Sequence, residues 1–301
     1  MAHPISLEAL KVIATIQEKG SFAAAAQALF KVPSALTYTV NKLEQDLGVT
    51  LFDRSGHRAK LTAAGQLILV EGQQLLEAAQ RLGDKVKELE SGWEPNLTIA
   101  VDTVLPCEPV FQKIAEFCAL QKPVNIQVVE EVLGGGWDAL HTQRADIAVG
   151  VTGEILSGLY DIENIGDAEF VFVVAANHPL TKEPEPISSS RIAEFPAIVV
   201  KDSSRSLPGR SSGLFAAKQT IHVSSVNQKI KAQCLGVGVG FLPFHLIQQQ
   251  LKSGQLVMKY TDIPRPPVPL YVVKQKSSQG QAANWFYKEL INMQLLHVEN
   301  T

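Results

Sequence analysis

Residues 21–48 decide the organisation of the N-terminal part of the chain, and they read SFAAAAQALFKVPSALTYTVNKLEQDLG. Ser21 can cap a short helix over 22–29, because its hydroxyl can accept a hydrogen bond from a backbone N–H of the first turn. Pro33 suits the first turn of a longer helix over 33–47, and Gly48 can end that helix. A helix over 7–19, with apolar residues at helical spacing, precedes them. The stretch therefore predicts a three-helix head that contains a helix-turn-helix.

The longer helix is predicted to have one buried face and one polar face. Its apolar stripe recurs at steps of four, three and four residues and consists of Leu36, Val40, Leu43 and Leu47. The opposite face carries polar side chains that could reach base edges in a DNA major groove, namely Ser34, Thr37, Tyr38, Asn41 and Lys42. An ordinary solvated helix face would show the same pattern, so the assignment depends on the helix-turn-helix around it.

Two short apolar runs after Gly48 predict a β-hairpin. Residues 49–52 and 59–61 read as strands, and the tip between them contains Arg54 and Arg58. Such a wing would place positive charge on the DNA backbone or in the minor groove. The formal charge agrees, because residues 1–61 carry +2 while the other 240 residues carry −5. We therefore predict that the chain contacts nucleic acid with its N-terminal end only.

The order of these features resembles the head of LysR-type transcriptional regulators. The resemblance is carried by residues 25–29 (AAQAL), 33–38 (PSALTY), 42–54 (KLEQDLGVTLFDR) and 61–65 (LTAAG). One departure lies at 32–35, which read VPSA where members of the family often have SQPA. The resemblance implies a regulator that binds a double-stranded DNA operator as a homodimer or homotetramer, with RNA polymerase as a further candidate partner. It implies neither enzymatic activity nor a cofactor.

A long helix is predicted over 62–90, between the head at 1–61 and the body at 91–301. Two sets of residues recur every seven positions, one with Ile68, Leu75, Leu82 and Leu89, the other with Gly65, Gly72, Ala79 and Val86. This pattern predicts a dimerisation seam. Gly72 is unfavourable inside a helix, so we interpret it as a point of close approach between helices on the seam. A helix that packs on its own domain would give the same periodicity.

The body alternates apolar strand-like runs with helical patterns, which is typical of an α/β fold. Strands are expected at 97–101, 125–129 and 147–151 in one lobe, and near 170–175, 197–200, 220–223 and 239–242 in a second lobe. Residues 270–273 are expected to return to the first lobe. The arrangement resembles the two-lobed, periplasmic-binding-protein-like effector domain of LysR-type regulators, which implies that a small-molecule effector binds between the lobes.

Candidate effector-binding residues follow the ends of these strands, where open α/β sheets bind ligands. They are Asp102, Thr103, Thr152, Ser203 and Ser204. Gly136 could add backbone N–H donors at a helix start, and Trp137 could offer a stacking surface. Trp137 could equally be a core aromatic. The effector's identity does not follow from the sequence.

Other functions find weaker support in the sequence. Residues 209–213 match GxSxG around Ser211, but no strand precedes them, so a serine hydrolase is a remote alternative. A small-molecule-binding protein whose head serves another purpose is a second alternative. Three cysteines without a CxxC pair and scattered histidines predict neither a disulfide framework nor a metal site.

We expect a cytoplasmic protein without membrane association, because the N-terminus lacks the features of a secretory signal and no apolar stretch is long enough to span a bilayer.

Overall fold

The computed structural model describes residues 4–53, 60–153, 158–211, 217–278 and 280–293. The chain divides into two compact units, Met1–Lys87 and Glu88–Thr301. Within the described residues, no helix is long and apolar enough to cross a membrane. Each unit has its own buried apolar core.

The head is a three-helix domain followed by a short hairpin. Its helices are α1 (Leu7–Lys19), α2 (Phe22–Ala28) and α3 (Pro33–Leu47), and its strands are β1 (Phe52–Asp53) and β2 (Lys60–Leu61). Ser21 accepts a hydrogen bond from the Ala24 N–H, and Pro33 occupies the first turn of α3, as predicted. The apolar stripe of α3 is buried against α1 and α2 at Leu36, Val40 and Leu43. The wing tip, with the predicted DNA contacts Arg54 and Arg58, lies outside the described residues.

The linker helix α4 (Ala63–Ser91) begins after Thr62, whose hydroxyl accepts a hydrogen bond from the Gly65 N–H at 3.1 Å. Gly65 packs against the head, because a Cβ there would lie 2.1 Å from the Leu51 carbonyl oxygen. Gly72 packs in the same way against Leu10 of α1. Our interpretation of these glycines as part of the dimer seam is therefore wrong, since both permit close packing within one chain.

The first lobe of the body is a five-stranded sheet in the order β4-β3-β5-β12-β6. Its elements are β3 (Asn96–Asp102), α5 (Glu108–Ala119), β4 (Asn125–Glu131), α6 (Gly135–His141), β5 (Ile147–Val151), β6 (Tyr160–Ala168), and later β12 (Val268–Gln275) and α10 (Gln281–Ile291). Strands β3, β4 and β5 are parallel, as predicted. The return of the chain to this lobe is also confirmed, because β12 pairs antiparallel with both β5 and β6. Strand β6 was not predicted.

The second lobe contains more antiparallel pairing than the sequence indicated. Its elements are β7 (Phe170–Ala175), α7 (Ser189–Ile192), β8 (Ala197–Val200), β9 (Thr220–Val223), α8 (Val226–Cys234), β10 (Gly240–Pro243), α9 (Gln248–Lys252) and β11 (Leu256–Met258). Strand β7 pairs antiparallel with β10 and β11, while β8 and β9 pair in parallel. A bridge between Ala197 and Val239 joins the two sets. After β10 the chain forms a 3-10 turn at Phe244–Leu246 and then the short helix α9.

Candidate functional sites

The polar face of α3 is exposed, opposite the stripe that packs into the head. Ser34, Tyr38, Asn41 and Lys42 are solvent-exposed, and Tyr38 retains 68% of its accessible surface. Thr37 is half-buried, and its hydroxyl donates to the Pro33 carbonyl oxygen one turn earlier at 3.0 Å. The face therefore presents an exposed phenol, amide and ammonium that can reach DNA, with Thr37 oriented by its own helix.

Glu44 is a residue of this region that the sequence analysis missed. Its carboxylate accepts hydrogen bonds from the backbone N–H groups of Leu51 at 2.6 Å and Phe52 at 3.2 Å. These bonds join α3 to the first strand of the wing. The angle at which the wing leaves the recognition helix is thus fixed by a side chain on that helix.

A cavity of about 340 Å³ lies between the two lobes of the body. The first lobe contributes Asp102 and Thr152 to its wall, and both belong to the predicted effector set. The second lobe contributes Val200, Val226 and Phe241. Most of the remaining wall is apolar, so a ligand here would be largely removed from water.

Asp102 is the buried carboxyl group of this cavity. Its two oxygens accept hydrogen bonds from the N–H groups of Val104 at 2.8 Å and Leu133 at 2.9 Å. Burial raises the pKa of Asp102 to about 7, and the nearby carboxylates of Asp202 and Glu131 act in the same direction. Asp102 therefore changes its charge near neutral pH.

Thr103 and Ser203 form hydrogen bonds that hold the lobes together, and the Ser204 hydroxyl does not. The Thr103 hydroxyl accepts from the Val226 N–H at 3.3 Å, at the start of α8, and the residue lines a neighbouring cavity instead of the first. Ser203 accepts from the Val132 N–H at 2.8 Å and donates to Glu131. The Ser204 hydroxyl is buried without a hydrogen-bond partner in the described part of the chain. None of the three lines the wall of the first cavity.

Glu131 also belongs to an ion-pair network that the sequence analysis missed. Arg144 contacts Glu131 at 2.7 Å and the fully buried Asp138 at 2.8 Å. Asp138 accepts in turn from the backbone N–H groups of Ser206 and Leu207, each at 2.7 Å. The segment that follows β8 is therefore anchored to the first lobe by charged hydrogen bonds.

Gly136 and Trp137, which we predicted as effector contacts, are buried and do not line the cavity between the lobes. Trp137 is fully buried, its ring lies edge-on to Tyr160, and its indole N–H donates to the Thr152 carbonyl oxygen at 3.1 Å. The structure therefore shows Trp137 as a core aromatic, which is one of its two predicted roles. Gly136 packs against β5, because a Cβ there would approach Val151 to 3.2 Å. Just before α6, the Leu133 N–H donates to Asp102 and the Gly134 N–H donates to Asp202, and the Gly135 N–H at the first residue of α6 donates to the Val132 carbonyl oxygen.

Three basic residues of the cavity were also missed, namely Arg210, Lys229 and Arg265. Lys229 on α8 is 8% exposed, and Arg265 lies in the segment before β12. Lys229 shares the buried face of α8 with Val226, Ile230 and Gln233. A lysine within the apolar stripe of an amphipathic helix was the available sequence signal.

A serine hydrolase would need a histidine and an aspartate beside Ser211. His245 and Asp262, which follow Ser211 in the chain, have other partners. The His245 ring is hydrogen-bonded to the Val104 carbonyl oxygen at 2.8 Å, and Asp262 accepts from the Ser189 N–H at 2.7 Å. Among the described residues, neither group is hydrogen-bonded to Ser211.

A helix-turn-helix with an exposed polar recognition helix, joined to a two-lobed domain with a cavity between its lobes, defines a ligand-responsive DNA-binding regulator. Comparison with known families agrees. Residues 7–66 match the model of the bacterial regulatory helix-turn-helix protein, lysR family, and residues 90–294 match the LysR substrate binding domain. The chain belongs to the LysR family of transcriptional regulators, which confirms the predicted class and excludes the hydrolase.

Individual relatives are similar over nearly their full length. The uncharacterized HTH-type transcriptional regulator YeeY of Escherichia coli (strain K12) is 37% identical over 286 residues, which cover 95% of this chain and 93% of that protein. The HTH-type transcriptional regulator PunR of the same strain is 32% identical over 291 residues, covering 96% and 94%. The crystal structure of full-length CbnR complexed with its target DNA has a TM-score of 0.61 at 17% identity, covering 95% of this chain and 99% of that chain. The last similarity supports the fold.

Proposed function

We propose that this regulator binds an imperfect inverted repeat as a homodimer or homotetramer, and that Asn41 reads a base in each half-site. The observation that supports this most directly is the exposed polar face of α3 beside a buried stripe. In a twofold dimer, two such helices would enter successive major grooves on one side of the DNA. The protein would act in the cytoplasm, where its operator lies, with RNA polymerase as a candidate partner at the promoter.

The individual side chains of the head should contribute differently to DNA binding. An asparagine can pair with both the N6 and the N7 of adenine, which is worth about 1–3 kcal/mol of discrimination. Arg54 and Arg58 are expected to contact phosphate, so they would add affinity that is independent of sequence. Base reading and phosphate binding can therefore be separated by mutation.

The experiment is a footprint that locates the operator, followed by binding titrations at several salt concentrations. Asn41→Ala should lose discrimination between operator and random DNA, while Gln45→Ala, near the end of the same helix, serves as the control. Arg54→Ala and Arg58→Ala should weaken binding to every sequence and reduce the salt slope by about 1 each. Equal loss of specific and non-specific binding in Asn41→Ala would refute the base-reading role.

We further propose that the cavity between the lobes holds the effector, a small planar or anionic metabolite. Strand ends from both lobes meet there, so a ligand that contacts both would favour one relative pose of the lobes. The ligand shifts the regulator between poses only as far as its affinity for them differs. Asp102 and Thr152 are the predicted contacts that line this cavity.

A thermal-shift screen of metabolites against the full-length protein tests this proposal, because a ligand that binds the native state raises its melting temperature. Thr152→Val removes a hydroxyl with little change in volume, and it should weaken the response to an active compound. Thr220→Val, on an exposed strand, is the matched control. An undiminished response in Thr152→Val would argue against this wall of the cavity as the effector contact.

A further inference from the structure

Lys229 and Arg265 bring two positive charges to one part of the cavity wall. Lys229 is 8% exposed and projects from the buried face of α8. The Arg265 guanidinium carbon lies 5.0 Å from the ring centre of Phe170 and 5.5 Å from that of Phe241. Aromatic faces attract a cation, but they do not neutralise its charge or satisfy its N–H donors. Both charges are therefore held in largely apolar surroundings.

No carboxylate among the described residues forms an ion pair with either cation. The Arg265 Nε is buried and has no hydrogen-bond partner in that part of the chain. Burial, with the like charge of Arg265, lowers the pKa of Lys229 to about 7, and burial also lowers the pKa of Arg265. Because a buried cation without a counter-charge is unfavourable, these two neighbouring cations favour an anion that the described residues do not supply.

The other two charged groups of the cavity, Arg210 and Asp102, have hydrogen bonds within the protein. Arg210 donates to the Thr152 carbonyl oxygen at 2.5 Å, and its backbone N–H donates to Asp202. Both oxygens of Asp102 accept from backbone N–H groups. Lys229 and Arg265 are the cations of the wall for which the described residues supply no hydrogen-bond acceptor.

The remaining wall indicates what the anion is attached to. It is formed mainly by aliphatic, aromatic and proline side chains, among them Val132, Leu133, Val200, Leu242, Pro264 and Pro266. Such a wall favours an apolar ligand body over a sugar, whose hydroxyls would lose hydrogen bonds to water. A phosphate is typically held by several backbone N–H groups, and the N–H groups of Leu133 and Gly134 before α6 already donate to Asp102 and Asp202.

We propose that the effector is an organic carboxylate with an apolar, preferably aromatic, body, and that its carboxylate lies between Lys229 and Arg265. This inference rests on the proposed effector cavity. The arginine can donate from its fixed planar fork and the lysine as a point charge, while the apolar part of the ligand contacts Phe241 and the aliphatic wall.

The test is a thermal-shift titration of the full-length protein with carboxylates and their matched amides. The pairs are benzoate and benzamide, indole-3-acetate and indole-3-acetamide, and 4-methylpentanoate and its amide. At least one carboxylate should stabilise the wild type more than its amide does. Lys229→Met and Arg265→Met should each weaken binding of that carboxylate at least tenfold and leave amide binding unchanged. Lys231→Met, which removes an exposed lysine from the same helix, should bind like the wild type.

A second measurement distinguishes loss of binding from loss of folding in the variants. Without ligand, Lys229→Met should melt no lower than the wild type, because methionine removes an unpaired buried charge and retains much of the side-chain volume. A clear fall in melting temperature would show that Lys229 has a structural partner and would overturn the proposal. Equal shifts by every carboxylate and its amide, or undiminished binding in Lys229→Met, would overturn it as well.

Two further titrations test the carboxylate assignment separately from the proposal that the cavity binds the effector. Inorganic phosphate that stabilises the protein as strongly as the best carboxylate would refute the carboxylate assignment. Neutral nucleosides that stabilise the wild type, but not Thr152→Val, would refute the anionic ligand while leaving the cavity as the effector site. If no compound of any class acts, both proposals fail.

Discussion

Replacing Leu75 and Leu82 of α4 by glutamate should split the proposed dimer. These leucines lie one heptad apart and are 51% and 66% exposed, and Val86 and Leu89 continue the exposed stripe. An apolar stripe of this kind on a long helix is the surface that a second copy of the helix would cover. The glutamates would place charges in that interface, whereas in a single chain they would remain in water.

The size of the effect follows from the exposed fractions. Complete burial of a leucine side chain contributes about 1.5–3 kcal/mol. Burial in the dimer of the exposed half of Leu75 and the exposed two thirds of Leu82 would therefore stabilise the interface by about 2–3.5 kcal/mol per chain. A twofold dimer contains both residues twice, which gives about 4–7 kcal/mol. The dissociation constant should therefore rise by at least about 10²-fold, since 1.4 kcal/mol corresponds to a factor of ten.

Sedimentation velocity over a range of concentrations measures this directly. Leu67→Glu with Val70→Glu is the matched control, because these residues are 61% and 53% exposed and lie outside the seam positions. The control should sediment like the wild type. A Leu75→Glu/Leu82→Glu protein that also sediments like the wild type would place the interface elsewhere, and the seam would have to be withdrawn.

Three further predictions concern single contacts, each measured by urea unfolding. Gly65→Ala should destabilise the head by about 1–3 kcal/mol, because its Cβ would lie 2.1 Å from a backbone oxygen, whereas Gly83→Ala, with nothing within 4 Å, should stabilise α4 by up to about 1 kcal/mol. Glu94→Gln should cost about 1 kcal/mol, because the buried carboxylate accepts from two N–H groups at the start of α10. Burial raises the pKa of Asp102 to about 7 from 3.8. The contribution of this carboxyl group to the free energy of unfolding is therefore fully present below pH 3.8 and is lost as the pH rises to 7. The stability of the wild type relative to Asp102→Asn should therefore fall between pH 4 and pH 7, and an unchanged difference would contradict the shift.

Much of the head could be predicted because its signals are local. A capping serine, a proline in the first turn and a glycine at the end act on residues within one or two turns, so Ser21, Pro33 and Gly48 set the helix boundaries wherever the helices pack. Strands β3 and β5 could be predicted for a similar reason, since buried parallel strands are short continuous apolar runs. The unpredicted β6 has exposed and half-buried residues along much of its length, so it lacked that signal.

The sequence by itself determined the class of protein, the order of its domains and the polar face of α3, because each depends on a pattern that spans neighbouring residues. Only the tertiary structure decided which polar groups line the cavity. Thr103 and Ser203 follow strand ends and Trp137 lies in α6, yet their side chains form hydrogen bonds within the protein. Lys229 and Arg265 come from separate segments and meet because α8 and the segment before β12 border one cavity. Strand ends locate a site, but the partner of each side chain depends on packing between segments that are distant in the sequence.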